Sequence, residues 1–515
     1  VGIPLSLPRG ELTLSPIMDA PPNQPAEARE RKIIFCLGLL AAAHVAFFSA
    51  AFPFFNVVDE PFHFDLVVRY AQGEVPRAIS PAAAESLPFI AIYSTPEYMW
   101  NTADPMPRPA WTQPMSASAE NLRAMEEGWR AKVKNHEVSQ PPLYYSLAGA
   151  WWRLGKLMGL DGGRLLYWLR FLNVPLVAAL AWLGWLTAKT VFPENKFIRF
   201  AVPALVALMP QTAFYSINND VLSPLTFGAA FWLLIKIWNA EKISPRLAAA
   251  TGLALAATFL SKMSNLPLLG VAGIFLAGKI FQLTRAEKLR AAVAPLGILA
   301  VCAGLPATAW MAWCEINFGD FTGSAQKVQF LNWAPKPLAD WFHHPIFTPH
   351  GLWYFISKNL ATLWQGEFLW HRQPLALPAV DLTYVLLTLT LLACALISLL
   401  KHGAPLPNAA RVALWFGFAG LAALFAFFAL LSVKFDFQDC FYPSQARPFF
   451  VSGRLMLGAL IPFLLLLTFG LDQALKKFGD AVKFGVLTIL LLAMLAAEIS
   501  IDWQVFPSGY NWFHQ

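Results

Sequence analysis

The 515-residue chain is 57% hydrophobic and only 13% charged, with a mean hydropathy of +0.50, too little charge to cover a soluble globule of this size. Its net charge of +7 is scattered over short connections instead of clustered, which argues against nucleic acid as a partner. Apolar runs near the ~20 residues needed to cross a ~30 Å hydrocarbon core recur along it; they are continuous rather than alternating, and predict an all-α polytopic membrane protein rather than a barrel.

Residues 1–28 are rich in Pro, Ala and small polar residues without periodicity and read as a disordered segment, with 29–515 as a single transmembrane domain. The chain opens on Val1 and its first methionine is Met18, so the natural start stays open between them. The first apolar run, 33–55, is too long for a cleavable signal and lacks a small-residue cleavage site. It follows Arg29-Glu30-Arg31-Lys32, which places the N-terminus in the cytoplasm and the next residues outside.

Where that run stops comes Asn56-Val57-Val58-Asp59-Glu60-Pro61-Phe62-His63-Phe64-Asp65. Charge at a membrane border is costly unless solvated or paired, which makes Asp59 the centre of a candidate active site. As a plain alternative, Asp59 would only cap a helix, and Glu60 and Asp65 would only solvate the loop. Phe64, Val67, Val68 and Ala71 form an i, i+3, i+4, i+7 stripe ending at Gly73, which predicts a short helix along the membrane surface. A second, weaker one is expected over 121–134. The whole segment 56–139 holds 11 of the 31 acidic residues against 7 basic ones and reads as a large first extracytoplasmic loop.

Gln140-Pro141-Pro142-Leu143-Tyr144-Tyr145 then opens the next apolar run. Further spans are expected at 143–158, 165–188, 199–216, 221–238, 247–262, 264–283, 292–314, 378–400, 411–432, 451–472 and 484–502, about 11–12 in all. The connections 239–246, 284–290, 401–411 and 475–483 together carry 10 basic and 3 acidic residues and are assigned to the cytoplasm, which puts 315–377, a second large loop, outside. Seven candidate spans between two outer loops violate parity. The segment 143–158, interrupted by Arg153 and Lys156, is the one expected not to cross, although a re-entrant pair near 199–238 would also restore the parity.

On this topology Asp59, Glu60, His63, Gln140, Asn219, Asp220, Lys262, Arg447 and Arg454 converge on the outer face. A carboxylate that can take a hydroxyl proton, beside cations that can hold a phosphate leaving group, is what sugar transfer from a lipid phosphate requires. Each also has a plain reading: a helix partner for His63, a turn for Asn219-Asp220, snorkelling for Lys262, interfacial anchoring for Arg447 and Arg454. A divalent metal gathered by Asp59, Glu60 and Asp220 is left open as a cofactor. His343-His344 with His350 lacks a carboxylate pattern for ligation, and the aromatics from Trp333 to Trp370 read as an interfacial belt. Of the five cysteines, Cys314 and Cys440 alone are placed to meet outside the membrane.

These motifs, Asp59-Glu60-Pro61-x-His63, Gln140-Pro141-Pro142-Leu143-Tyr144-Tyr145, Pro210-Gln211 with Asn218-Asn219-Asp220, Ser261-Lys262 and Gly453-Arg454, resemble in kind and order those of the GT-C class of polytopic glycosyltransferases, within it a large bacterial inner-membrane group. The resemblance implies a GT-C fold and a polyprenyl-phosphate sugar donor, with transfer to a glycan, lipid or protein of the cell envelope on the periplasmic face. It implies Asp59 as general base of an inverting reaction, with Glu60 supporting it or binding sugar. Lys262 and Arg454 would face the donor phosphate, and Gln140 would orient the loop. Leu455 follows Gly-Arg where the class often has an aromatic. Only 503–515 follow the last expected span, so acceptor recognition is assigned to the loops. The rival functions are a transporter or flippase of lipid-linked sugars, which would need mid-bilayer charges and internal repeats, and a polymerase or ligase of lipid-linked polysaccharide.

Overall fold

The computed structural model describes residues 24–56, 59–113, 123, 126–128, 133–401, 406–438, 440 and 442–514. Among the described residues these α-helices follow one another: α1 (Gln24–Ala51), α2 (Glu60–Gln72), α3 (Leu87–Tyr93), α4 (Leu143–Leu157), α5 (Gly162–Arg170), α6 (Asn173–Val191), α7 (Lys196–Ala207), α8 (Ser223–Asn239), α9 (Pro245–Ser261), α10 (Leu266–Arg285), α11 (Leu289–Phe318), α12 (Ala325–Phe330), α13 (Leu338–Trp341), α14 (Pro349–Gln365), α15 (Pro378–Leu400), α16 (Asn408–Lys434), α17 (Leu460–Ala474) and α18 (Asp480–Asp502). The chain is an all-α polytopic membrane protein. Among the described residues nine helical stretches are long and apolar enough to span a bilayer. The three remaining expected spans are the shorter α4, α7 and α9, of 15, 12 and 17 residues.

Burial sorts these helices into shells. The stretch 453–474 has 94% of its central window buried and is the pillar of the bundle, whereas 289–318 and 480–502, at 17% and 22%, face outward. Side chains such as Val301, Leu305, Ile489 and Leu492 are accordingly exposed, as a lipid-facing surface requires. α4 packs along α2 instead of standing among the spanning helices. The contact is close because Gly149 lacks a side chain: a Cβ there would come within 2.9 Å of the Ala71 amide nitrogen.

α2 starts at Glu60 and stops at Gly73, whose φ of 82° ends the helix, and Phe64, Val67, Val68 and Ala71 form its buried stripe. It is not a helix lying exposed on a membrane surface, because its opposite side is covered too. Asp65, expected to solvate the loop, is fully buried there. Its carboxylate accepts hydrogen bonds from the Ala83 amide (2.7 Å), Ser86 Oγ (2.8 Å), Asn135 Nδ2 (2.9 Å) and Arg69 Nε (3.0 Å). A two-residue antiparallel pair, β1 (Ser80–Pro81) with β2 (Lys134–Asn135), closes the segment in register Ser80 to Asn135. The expected second helix over 121–134 falls largely outside the described residues, as do residues 1–23. A similar short pair, β3 (Ala334–Pro335) with β6 (Phe435–Asp436), ties the segment after α11 to the one after α16, and β4 (Leu369–Trp370) with β5 (Gln373–Pro374) forms a hairpin. All five cysteines are free.

The start of α2 is held by Arg170, the last residue of α5. Its guanidinium, fully buried, donates to both Glu60 oxygens (2.9 and 2.8 Å) and to the carbonyls of Ser49 (3.2 Å), Phe52 and Pro53 (2.9 Å) at the end of α1. Glu60 also accepts from the Asn56 and Ile217 amides, at 3.2 and 2.9 Å. Removing one member of such a pair strands a charge, at a cost of about 3–5 kcal/mol. Glu60→Ala is therefore expected to lower the unfolding temperature of the purified protein sharply, and Arg170→Met, which also leaves the Ser49, Phe52 and Pro53 carbonyls without their donor, to lower it at least as far; equal Tm values for wild type and Glu60→Ala would contradict this account.

Candidate active site

Asp59 sits one residue before α2 in the left-handed region, φ 63°, a conformation that Asp tolerates better than most residues. Its carbonyl accepts from the Phe62 and His63 amides, both at 3.0 Å, but its side chain makes no capping hydrogen bond. The helix is therefore capped without the carboxylate, which is turned elsewhere. Asp59 Oδ1 lies 3.6 Å from His136 Nε2, and Oδ2 lies 3.6 Å from Arg454 Nη2. Its side chain is 31% exposed, against 1–3% for Asp220 and Glu137 beside it.

Two clusters meet at Asp59. On one side Asn135, anchored to the Phe62 carbonyl at 3.0 Å, delivers His136 and Glu137 next to α2. Glu137 pairs with His136 (3.3 Å) and Lys327 and accepts from Gln140 Nε2 at 2.5 Å. The His136 ring lies between Phe62 and Phe330, with centroids at 4.6 and 5.9 Å. On the other side Asp220 pairs with Lys262 through Oδ1 and with Arg454 Nη1 through Oδ2 at 2.7 Å, and Arg454 Nε reaches Glu367 Oε2 at 3.3 Å. Gln140 joins the two: its Oε1 accepts from Asn219 Nδ2 at 3.0 Å, and Asn219 Oδ1 in turn accepts from Lys262 at 3.3 Å.

Local sequence explains why these groups can be so placed. Asn218 caps the short turn 219–221 by accepting from the Asp220 amide at 2.8 Å. Lys262 sits in extended backbone between α9 and the turn at 263–265, so it interrupts the apolar run by breaking the helix and not by snorkelling from it. Gly453 must lack a side chain, because a Cβ would lie 2.1 Å from the Asn359 carbonyl oxygen; its amide donates to Thr362 Oγ1 at 2.8 Å, and this docking seats Arg454.

Of the residues expected at the site, Asp59, Gln140, Asn219, Asp220, Lys262 and Arg454 are thus brought together. Three are not. Glu60 turns away into the Arg170 pair, where the Asn56 and Ile217 amides also hold its carboxylate, while Asp59 precedes the helix in left-handed backbone with its carboxylate near His136 and Arg454. His63 is buried and shares a hydrogen bond with Tyr145 Oη at 2.7 Å, holding α2 to α4. Arg447 is exposed, in a turn closed by its own amide bonding to Ser444. His344 is engaged with the Pro448 carbonyl and the Ile346 amide. Residues unforeseen from the sequence are His136, Glu137, Lys327 and Glu367. The run Asn135-His136-Glu137, two residues before Gln140-Pro141-Pro142, carried a legible signal for two of them, whereas Lys327, on the short helix α12, and Glu367, in the loop after α14, stand in unremarkable sequence.

Electrostatics divide the carboxylates. Burial and Glu137 push Asp59 upward, but His136 and then Arg454 outweigh them and hold its carboxyl below the usual range. Glu137 lies well below its own range: burial opposes ionisation, and Lys327 and His136 overcome it. Burial likewise opposes the charged His136 ring, yet Asp59 and Glu137 hold its pKa up at about 9. His63, desolvated and without a carboxylate partner, drops to about 4. Burial raises Glu367 despite Arg454, and its Oε1 finds no hydrogen-bond partner among the described residues. For a cation, Asp59, His136 and Glu137 offer one ligand atom each within 4.8 Å of one another. This one-nitrogen, two-carboxylate set differs from the expected Asp59, Glu60 and Asp220, since Glu60 points away.

Residues 43–439 match a family model described as a predicted membrane protein, DUF2142. The chain belongs to this family. No curated protein matches it. Among solved structures, it is similar to the Archaeoglobus fulgidus oligosaccharyltransferase AglB in complex with an inhibitory peptide and a dolichol-phosphate, at 12% identity over 91% of this chain and 56% of that one, with a TM-score of 0.40. The apo form of the A. fulgidus enzyme gives 13% identity, 92% and 56% coverage and 0.40, and its complex with Zn and sulfate 12%, 91% and 53%, and 0.43. This DUF2142 chain spans a little over half the length of those proteins.

Because the raised His136 pKa belongs to the folded state, its ion pairs contribute stability that is complete below pH 6.5 and lost as pH rises through about 9. In the DUF2142 protein labelled at histidine, NMR titration should show one imidazole with a midpoint near 9, falling toward 6.5 in Glu137→Gln. A single midpoint near 6.5 in the wild type would refute the arrangement.

Proposed function

We propose that the protein is an inverting membrane glycosyltransferase that moves a sugar from a polyprenyl-phosphate donor to a cell-envelope glycan, lipid or protein, on the periplasmic face of a bacterial inner membrane. The observation that carries this reading is the position of Asp59: an accessible carboxylate at the edge of a buried set of cations, with Arg454 shared between it and Asp220.

In this mechanism Asp59 Oδ takes the proton from the acceptor hydroxyl as the acceptor oxygen bonds to the anomeric carbon from the face opposite the phosphate. The carbon–oxygen bond to phosphate breaks, and the phosphate leaves with the electron pair. Arg454 and Lys262 meet its added charge, as preorganised cations do best in a site shielded from water. Both are already paired with Asp220, so the donor phosphate draws on positive charge that is held in place and not freely solvated. As Arg454 turns to the phosphate, Asp59 loses one of the groups that keep its basicity down. His136 and Glu137 orient Asp59 in the absence of a metal. Should a divalent cation bind, Asp59, His136 and Glu137 would hold it, with His136 giving up its proton, and the cation would supply positive charge to a phosphate.

The test is sugar release from a radiolabelled panel of polyprenyl-phosphate monosaccharides by purified protein given envelope extract as acceptor, with and without chelator. Asp59→Asn is expected to lower turnover by about 10²–10⁴-fold in a protein that still folds, with some loss of unfolding temperature from the broken His136 and Arg454 pairs; wild-type turnover in that variant would overturn the assignment. Loss of activity on chelation, restored by a divalent ion, would show that a metal takes part, for which Asp59, His136 and Glu137 are the candidate ligands. Arg454→Lys, which keeps the charge but not the fork, should cost at least about tenfold in kcat/KM for the donor, since hydrogen bonds to charged groups are worth ~1.5–3 kcal/mol.

A further inference from the structure

Away from the charged cluster, a slot of about 310 Å³ opens between α15 and α18. α15 packs on α17 and α18 packs on α7, so the two outer helices part and the apolar face of α17 forms the floor. The walls are almost entirely carbon, with Leu387, Leu391, Leu467, Leu490 and Met494 among them. Trp364 is stacked on Tyr384 at 5.3 Å and satisfies its own indole nitrogen on Thr388 Oγ1 at 2.9 Å. Tyr384 Oη, by contrast, is buried without a hydrogen-bond partner among the described residues. A cavity of this composition repels water, and inside a bilayer the available filler is hydrocarbon.

Depth and charge narrow the occupant. The lining begins at Ala379, in the first turn of α15, and ends at Leu391. At 1.5 Å per residue this is about 18 Å, close to the roughly 15 Å hydrocarbon depth of one leaflet. The slot is continuous with the lipid-facing surface, where Leu382, Leu386, Ile489 and Leu492 are exposed. At its mouth Lys358, its side chain 45% exposed, is paired only loosely with Asp381 at 3.9 Å, and Asp381 also accepts from Gln365 Nε2 at 3.0 Å. The ammonium is thus free to meet an anionic headgroup group at the level where headgroups lie.

We infer that this slot is a binding site for a bilayer glycerophospholipid from the leaflet on the Asp59 side, one acyl chain filling the cavity, the Tyr384 hydroxyl facing its ester end and Lys358 holding its phosphate. The site is independent of the proposed transferase chemistry, because Asp59, Asp220 and Arg454 take no part in it.

A phospholipid with a diazirine midway along one acyl chain, incorporated into nanodiscs with the full chain, tests the assignment by photolabelling and peptide mapping. Labels are expected on 384–391 and 487–494. Thr383→Trp blocks the mouth at an exposed position and should abolish them, and Lys358→Glu should weaken them at least about fivefold, the worth of a cation near a charged membrane surface. Labelling spread evenly over the outward-facing helices and unchanged in Thr383→Trp would overturn the inference. So would displacement of the label by equimolar polyprenyl phosphate, which would give the slot to a different lipid.

Discussion

The architecture around Asp59 depends on one buried ion pair. Arg170 ends α5 with its N–H groups met by five oxygens, two from Glu60 and three from carbonyls at and just after the end of α1, and with Phe54 against its flat face at 4.1 Å. Those carbonyls are the ones a helix cannot satisfy internally, and burying them without partners would be costly. Arg170 therefore converts the end of a membrane helix into a fixed platform. Because Glu60 belongs to that platform, the residue before it has no freedom to move, and Asp59 is held in left-handed backbone with its carboxylate turned away from the helix it precedes.

The second constraint is charge balance in a confined space. Asp59, Glu137, Asp220 and Glu367 stand among His136, Lys262, Lys327 and Arg454, and each cation touches at least one carboxylate. Near hydrocarbon, unpaired charge of either sign is disfavoured, which is why each of these cations is held against a carboxylate. Arg454 suits this arrangement because its planar fork can serve several acceptors at once, which a lysine cannot do. Asp59 differs from its neighbours in keeping access to solvent.

The shape of the whole bundle follows from how apolar surface is distributed. The pillar 453–474 and the helices α11 and α18 are all predominantly apolar, yet the first is buried and the other two are largely exposed; packing, and not hydropathy, assigns them opposite roles. Where α15 and α18 fail to close over α17, a slot of one leaflet's depth remains, in the part of the molecule where carbon-lined space is cheapest to fill.

Hydropathy and charge in the sequence sufficed for the membrane class, most of the helices and the polar segment after the first span, because each is a property of consecutive residues. The motif residues Asp59, Gln140, Asn219, Asp220, Lys262 and Arg454 were legible for the same reason: a charge or amide interrupting an apolar run is visible without a structure. What consecutive residues do not carry is direction. Whether Glu60 or Asp59 faces the cluster, whether His63 reaches solvent or Tyr145, and whether Asp65 solvates a loop or organises it were decided by Arg170, Tyr145 and Asn135, which lie 70 or more residues away. Lys327 and Glu367 entered the site through charge pairing alone, and only tertiary structure could bring them, since the Coulomb energy that selects such partners depends on distance in space and not along the chain.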